Sequence, residues 1–474
     1  MANLQNISEL QPTLPFTEYD FYKKYQATFK SSLLGKIYEL LPLHEMAVNF
    51  GLIDSDKKSG SHKEKRRGRP SYFTPEGKVA LMFLRMYTEL SAPKLLEQLN
   101  GNVHYQIFCG IIIDPEHPLT NYKLIDDISL ELSRKLKIQQ QQEILANIWK
   151  PYMKKLDEVF TDATCYESYM RYPTDAKLLW ESCEKSYEIM CRACKLAGEN
   201  RYRTKYNDIA TAYLVYAKQR RHKKKQTHHI IGRMLKLLAK ILKKTRGLIR
   251  NQEVDKKMSD KDLRNIDIVT RIYRQQHNHY KSKNVKESIP NRIVSINKPY
   301  IRPIVRGKET KTVEFGAKCN NILVDGISFI EKLSFNAFNE GTRLSHCIKL
   351  CEKLFQTKVK KFGGDQGYTS NANRSLCTAN GIDTSFPRKG KAGKEEESKR
   401  KIRHELARVR ATSMEGSFGT QKEHYGLHRV KARLKETETL MIFFGVHTGN
   451  AVILGRRLLA KEVSEEAEDL KTAG

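Results

Sequence analysis

The sequence predicts an α/β protein: a mixed-sheet core, interrupted after its first strand by a basic helical insertion and preceded by an all-α segment. Three observations predict it. Strand-like runs fall in two places, at residues 158–162 and again from 292 to 386. Helical periodicity fills the long intervals, and positive charge concentrates in one of them. A chain of 474 residues has length for two or three domains.

The order begins with helix. Phe21, Tyr25, Phe29, Leu33 and Leu34 recur at three- and four-residue steps within 17–55. A polar, basic joint follows, from about Asp54 to Ser71, and carries Arg66, Arg67 and Arg69. Its Arg67-Gly68-Arg69-Pro70 resembles an AT-hook, whose arginines enter a narrow minor groove; a plain linker is the alternative. Thr74-Pro75-Glu76 predicts a helix start, with a capping hydroxyl, a proline at the first helical position and an acid at the positive end of the helix dipole. Val79, Met82, Phe83, Met86 and Tyr87 line one face, and Ser91-Ala92-Pro93 opens the next helix. Residues 74–110 have helix-turn-helix size and read either as a DNA contact or as a dimerisation and packing unit. With the helical stretch 128–156 they define an N-terminal helical domain over 1–150.

Glu158-Val159-Phe160-Thr161-Asp162 reads as a short strand ending on a carboxylate, so the catalytic core starts within 151–180. Helix resumes over 176–285, giving an insertion at 181–290. Strand signals return at 292–296, 300–305 and 312–319, and Asn320-Asn321, ahead of the apolar run 322–327, suggests a hairpin turn. Helix 340–356, strands 359–365 and 382–386, a charged loop or solvated helix start at 388–400, and helix 402–460 with a break near Gly445 complete the core at 291–460. A charged tail remains at 461–474. Strands, then alternating helix and strand, then a terminal helix holding an acid is the order expected of a ribonuclease H-like core.

The net charge of +31 speaks of partners, not fold, and points to a polyanion. Residues 201–250 hold sixteen Lys and Arg against one acid, Asp208, whereas a solvated helix face mixes signs. Arg220, Arg221, Lys223, Lys224 and Lys225, with Lys236, Lys240, Lys243 and Lys244 opposite an apolar stripe of Ile231, Met234, Leu235, Leu238, Ile241 and Leu242, form a candidate DNA-binding surface. The other reading is a solvated basic arm. No apolar run reaches the roughly 18 residues of a membrane span, and the N-terminus lacks a signal pattern, so a cytoplasmic protein is expected. Nine irregularly spaced cysteines fit reduced structural thiols; Cys191 with Cys194 and Cys347 with Cys351 lack the spacing of a zinc site.

Three acids have placed settings: Asp162 in Val-Phe-Thr-Asp-Ala-Thr, Asp365 in Phe-Gly-Gly-Asp-Gln-Gly-Tyr and Glu415 in Ser-Met-Glu-Gly-Ser-Phe-Gly. Phosphodiester chemistry needs an activated oxygen nucleophile and a neutralised leaving oxygen, which two hard divalent ions held by carboxylates supply. Asp162 and Asp365 at strand ends, with Glu415 on a helix, are candidate ligands. Lys422, two helical turns past Glu415, is a candidate phosphate contact. Asp157, Asp175 and Asp325 compete on spacing alone.

These motifs resemble those of bacterial insertion-sequence DDE transposases, in the group typified by insertion sequences five and 1182. The matching pieces are Thr161-Asp162-Ala163-Thr164 with Arg171-Tyr172-Pro173-Thr174-Asp175, Arg302-Pro303-Ile304-Val305-Arg306-Gly307-Lys308 leading into Val313-Glu314-Phe315-Gly316, Gly364-Asp365-Gln366-Gly367-Tyr368, and Met414-Glu415-Gly416-Ser417-Phe418. The resemblance implies that Asp162, Asp365 and Glu415 form a metal-binding triad for two Mg²⁺ or Mn²⁺ ions. It implies double-stranded DNA partners (terminal inverted repeats and target), cleavage followed by strand transfer, a homodimer or higher assembly on DNA, and a bacterial, nucleoid-associated location. Related families place an arginine four residues before the glutamate; here that position is Ala411, with Arg408 and Arg410 nearby, and Lys422 matches the lysine seven residues after it. A decayed, DNA-binding regulator and a nuclease that cuts without joining are the competing readings.

Overall fold

The computed structural model describes residues 18–53, 71–250, 252–282, 289–305, 313–391 and 396–472. The joint carrying Arg66, Arg67 and Arg69 lies outside the described residues. Among the described residues eight helices precede the first strand: α1 (Glu18–Lys30), α2 (Leu33–Glu39), α3 (Leu43–Asn49), α4 (Pro75–Thr88), α5 (Ala92–Gly101), α6 (Val103–Phe108), α7 (Lys123–Lys135) and α8 (Ile138–Trp149). The α4 start follows the sequence signal, since Thr74 Oγ1 accepts a 3.0 Å bond from the Gly77 amide with Pro75 at the first helical position.

Strand β1 (Glu158–Ser168) is eleven residues long, six beyond the predicted end at Asp162. The extension has a partner: β1 pairs antiparallel with β3 (Val313–Val324) from Phe160 through Glu167. Between them in sequence lie the insertion helices α9 (Asp175–Leu196), α10 (Tyr206–Ala217), α11 (Lys224–Ile249), α12 (Gln252–Lys257) and α13 (Asp260–Lys281), and the short edge strand β2 (Pro303–Val305). The insertion has its own apolar interior, with Leu179, Met190, Met234, Leu238, Ile241, Val269 and Ile272 buried together.

Residues 292–296 are not a strand. Ile293 and Ile296 instead bury into the insertion's core, and the Ile293 amide donates to Gln275 Oε1 of α13 at 3.1 Å, so this backbone is satisfied by a helix side chain, not a ladder. The predicted hairpin at Asn320-Asn321 is also displaced. β3 runs through both asparagines with only a bulge, and the turn into β4 (Ile327–Ser334) is Asp325-Gly326, whose φ values of 49° and 81° are those of a tight hairpin turn.

The remaining elements are α14 (Leu344–Phe355), β5 (Lys361–Gly363), α15 (Asn371–Ala379), β6 (Asp383–Thr384), α16 (Glu396–His424), β7 (Arg429–Val430) and α17 (Lys435–Thr472). The helical break falls at residues 425–434, where Gly426 has φ +67°, and not at Gly445. Gly445 lies inside α17 for packing: a Cβ there would stand 2.8 Å from Leu427. α17 also continues through the stretch expected to be a charged tail, to Thr472.

Among the described residues the strands form one mixed seven-stranded sheet of order β2-β3-β1-β5-β6, with β4 on β3 and β7 on β1. β5 is parallel to β1 and β6 to β5, whereas β3 is antiparallel to β1. The N-terminal helices share one apolar interior with this sheet. α17 crosses α2, α4, α7 and β4, and Phe444 stacks on Phe50 and meets Phe83 edge-on. Among the described residues no helix is long and apolar enough to cross a membrane.

Candidate active site

Parallel pairing of β1 with β5 aligns Phe160 with Gly363, so Asp162 and Asp365 stand at matching positions two residues farther on. Side chains alternate along strands, so Asp162 lies on the face that bears Phe160, under α16, and Asp365, just past the end of β5, is near enough for its charge to act on Asp162. Gly363 is required there, because a Cβ would come 2.3 Å from the Phe160 ring and 3.4 Å from Arg410 Cβ. The ladder between β1 and β5 ends at Phe160–Gly363, so Asp162 sits inside β1 but just where its β5 flank opens.

Asp162 Oδ1 accepts from the Ala163 amide at 2.7 Å and Oδ2 from Arg410 Nη2 at 2.6 Å. Burial pushes the Asp162 carboxyl above the ordinary aspartate range; the Arg410 guanidinium opposes that shift and the neighbouring Asp365 charge adds to it. Asp365 caps a single 3₁₀ turn, Gln366–Tyr368, its Oδ1 accepting from the Gly367 amide at 2.9 Å. Two carboxylates close enough to repel, one already drawing a cation, make a donor pair suited to a hard divalent ion.

α16 runs over this face. Leu406, Met414, Phe418 and Gln421 are its buried side, with Arg410 half-buried on the same side. Lys422 Nζ donates to Thr164 Oγ1 at 2.9 Å, two residues along β1 from Asp162. Glu415 lies along the helix between Arg410 and Lys422 but is exposed, and among the described residues no three His, Cys, Asp or Glu come together to hold a metal. The structure thus sets Asp162 near Asp365 and Lys422 on Thr164, and leaves Glu415 exposed on α16.

Arg410, and not the exposed Arg408, is the arginine that meets Asp162. The sequence carried a signal for it: Arg410 falls on the three- and four-residue repeat Leu406, Met414, Phe418, Gln421 that marks the inner face of α16. The competing acids are engaged elsewhere. Asp157 pairs with Lys360 at 3.5 Å, Asp175 accepts from Arg292 and Gln276 at 2.6 and 2.7 Å, and Asp325 binds Arg457 at 2.8 Å in its turn.

On the insertion, Arg220, Arg221 and Lys223 lie exposed between α10 and α11, and Lys224, Lys225, Lys236, Lys240 and Lys243 stand on α11, a helix with no acid in its 26 residues. The intervening turn is held in place: Tyr216 packs on the His222 ring at 4.2 Å between centroids and meets Thr227 Oγ1 at 3.1 Å. Lys244 differs from the rest, being paired with Glu199 at 2.9 Å and lying 3.6 Å over the Tyr202 ring.

Residues 363–446 match the family model of the transposase DDE domain, a span that holds Asp365, Arg410, Glu415 and Lys422. Residues 25–127 match a second transposase domain. No curated protein and no solved structure matches the chain. The two matches indicate an insertion-sequence DDE transposase, a DNA-processing enzyme of a family that generally uses divalent metal ions. The pairing of these two domains fits the group of insertion-sequence transposases typified by insertion sequences five and 1182.

Proposed function

We propose that the chain binds the terminal inverted repeats of its insertion sequence and catalyses metal-dependent strand cleavage and strand transfer, with Asp162, Asp365 and Glu415 as metal ligands and Lys422 on a DNA phosphate. The observation that carries this reading is the β1–β5 register, which sets Asp162 and Asp365 side by side beneath the helix bearing Glu415 and Lys422. A central long strand, an antiparallel neighbour on one side, parallel strands on the other and an overlying acid-bearing helix also support a ribonuclease H-like core, with 1–150 as its helical N-terminal domain and 181–290 as its insertion.

Two Mg²⁺ or Mn²⁺ ions would supply an activated oxygen nucleophile and charge neutralisation at the leaving oxygen. The chain's own groups orient the substrate. Lys422, half-buried and anchored on Thr164, offers a fixed ammonium for a phosphate beside the carboxylates, and Arg410 balances the charge of Asp162. The basic surfaces, Arg66, Arg67 and Arg69 in the joint and Arg220 to Lys244 on the insertion, would grip the duplex backbone. Two ends must be joined, so the active form is a homodimer or larger assembly on DNA, in the bacterial cytoplasm.

The test is direct. Asp162→Ala, Asp365→Ala and Glu415→Ala, each alone, are expected to abolish Mg²⁺-dependent nicking and joining of duplexes taken from the element's ends while retaining DNA binding. Near-normal cleavage by any one of them removes that residue from the site, and cleavage without joined products in the wild type would favour a nuclease.

A further inference from the structure

Asn320 and Asn321 pose a cost that needs an account: both are fully buried in the middle of a strand, where side-chain amides must find partners or destabilise the fold. They are also the residues of β3 directly across from the site, Asn321 opposite Asp162 and Asn320 opposite Ala163. We propose that this pair is the positioning device of the site, each amide fixing one of the two elements that flank β1.

Successive residues of a strand face opposite sides of the sheet, so the two amides diverge. On the side away from α16, Asn320 Oδ1 accepts a 2.8 Å bond from the Tyr368 hydroxyl, and Asn320 Nδ2 donates to Glu331 Oε2 at 3.0 Å. Glu331 is held in turn by a two-pronged ion pair with Arg343. Tyr368 ends the turn that Asp365 caps, and its hydroxyl also lies 3.4 Å from Thr161 Oγ1, next to Asp162. The chain from Asn320 to Tyr368 thus fixes the height of Asp365 against β1. Gly341 seals the arrangement, for a Cβ there would sit 2.1 Å from the Gly367 carbonyl oxygen.

On the α16 side, Asn321 Nδ2 donates to the Tyr166 hydroxyl at 3.3 Å, and Tyr166 donates to Gln421 Oε1. Gln421 Nε2 reaches Ser417 Oγ at 3.0 Å, and Ser417 meets Ser328 of β4 at 2.8 Å. These contacts hold α16 at the turn between Glu415 and Lys422. Removing a group that orients a ligand without touching the metal typically costs 10- to 100-fold in metal affinity or activity.

The inference rests on the proposed site, and the experiment separates the two. Tyr368→Phe and Tyr166→Phe in the full-length chain each delete one hydroxyl and keep the ring that fills the core. Binding of Mn²⁺ alone is followed by the electron paramagnetic resonance signal of the free ion, alongside single-turnover nicking of an end duplex and the melting temperature, with Asp162→Ala and Asp365→Ala as controls. Tyr368→Phe is expected to weaken Mn²⁺ binding about tenfold or more. Tyr166→Phe, which loosens the helix bearing both Glu415 and Lys422, is expected to weaken Mn²⁺ binding and slow nicking by a similar factor. If the aspartate controls lose Mn²⁺ and both tyrosine variants keep wild-type Mn²⁺ affinity and nicking rate, with only a lowered melting temperature, the hydroxyls are merely structural and the inference fails. Unchanged Mn²⁺ binding in the aspartate controls would instead overturn the site itself.

Discussion

In the proposed site Asp162 carries two opposed demands, to stay buried inside a strand and to stay charged for chemistry, and its ion pair with Arg410 opposes the effect of burial. Both side chains of the pair are about one-fifth exposed, so the interaction is screened less than a surface ion pair. Arg410→Ala should therefore lower the stability of the metal-free protein by about 1–2 kcal/mol, with Arg410→Lys keeping part of it. Added Mg²⁺ should raise the melting temperature more in the alanine variant than in the wild type, and equal melting temperatures throughout would show that the pair carries no stability. The sequence singles out the three acids and Lys422 as candidates because each sits in a short, distinctive local setting; the fold then sets Asp162 near Asp365 and Lys422 on Thr164, and leaves Glu415 exposed on α16. Arg410 is visible there only as one of two neighbours, because the expected spacing points to Ala411 and only helix phase separates the inner residue from the outer one. Asn320-Asn321 misleads for a related reason: adjacent asparagines ordinarily favour turns, and only the tertiary partners Tyr368 and Tyr166 make them acceptable within a strand.

Single elements show where local signals suffice. The α4 cap is complete within a few residues and is legible from them, whereas Gly445 looks like a helix break because its reason, the Leu427 side chain against α17, lies eighteen positions away. Near Gly445 on the same helix, His447 is fully buried among Trp149, Phe329 and Phe443, and burial pushes its imidazole down to about 3. The unfolded chain takes up this proton as pH falls below about 6.5, while the folded chain resists until about 3. Stability from this residue is therefore complete above 6.5 and is lost on acidification through that window, by up to about 1.4 kcal/mol per pH unit. His447→Phe, which keeps an aromatic ring in the same cage, should show a smaller loss of stability between about pH 6.5 and 4.5 in urea unfolding. Parallel losses in the two proteins would remove His447 as the cause.

At the scale of the whole molecule, charge and packing divide the chain differently. The charge run in the sequence coincides with α10, α11 and the turn between them, since a helix without an acid has to face solvent or a polyanion. The apolar patterning could not tell that the N-terminal helices share an interior with the sheet, because an amphipathic face does not say what it will meet. The insertion's exposed cations lead to a further expectation. Neutralising Arg220, Arg221, Lys223, Lys224 and Lys225 together should weaken binding to all duplex sequences alike and flatten the dependence of log affinity on log salt by about 0.9 for each phosphate no longer neutralised. Titrations at several salt concentrations check this, and an unchanged slope would mean that the turn between α10 and α11 stays solvated.

The placement of that insertion also has a consequence for the order in which the chain acquires its shape. β1 is made first, yet its antiparallel neighbour begins at Val313 and its parallel neighbour at Lys361. At ribosomal speed the strand that bears Asp162 waits roughly ten to thirty seconds for its first partner. The helices between them pack mainly on one another and can collapse during that wait. A nascent chain would thus pass through a stage with a finished helical lobe and an unpaired apolar strand, an invitation to chaperones or to aggregation. The proposed site is completed only when synthesis is nearly over, because α16, with Arg410, Glu415 and Lys422, is among the last elements to leave the ribosome.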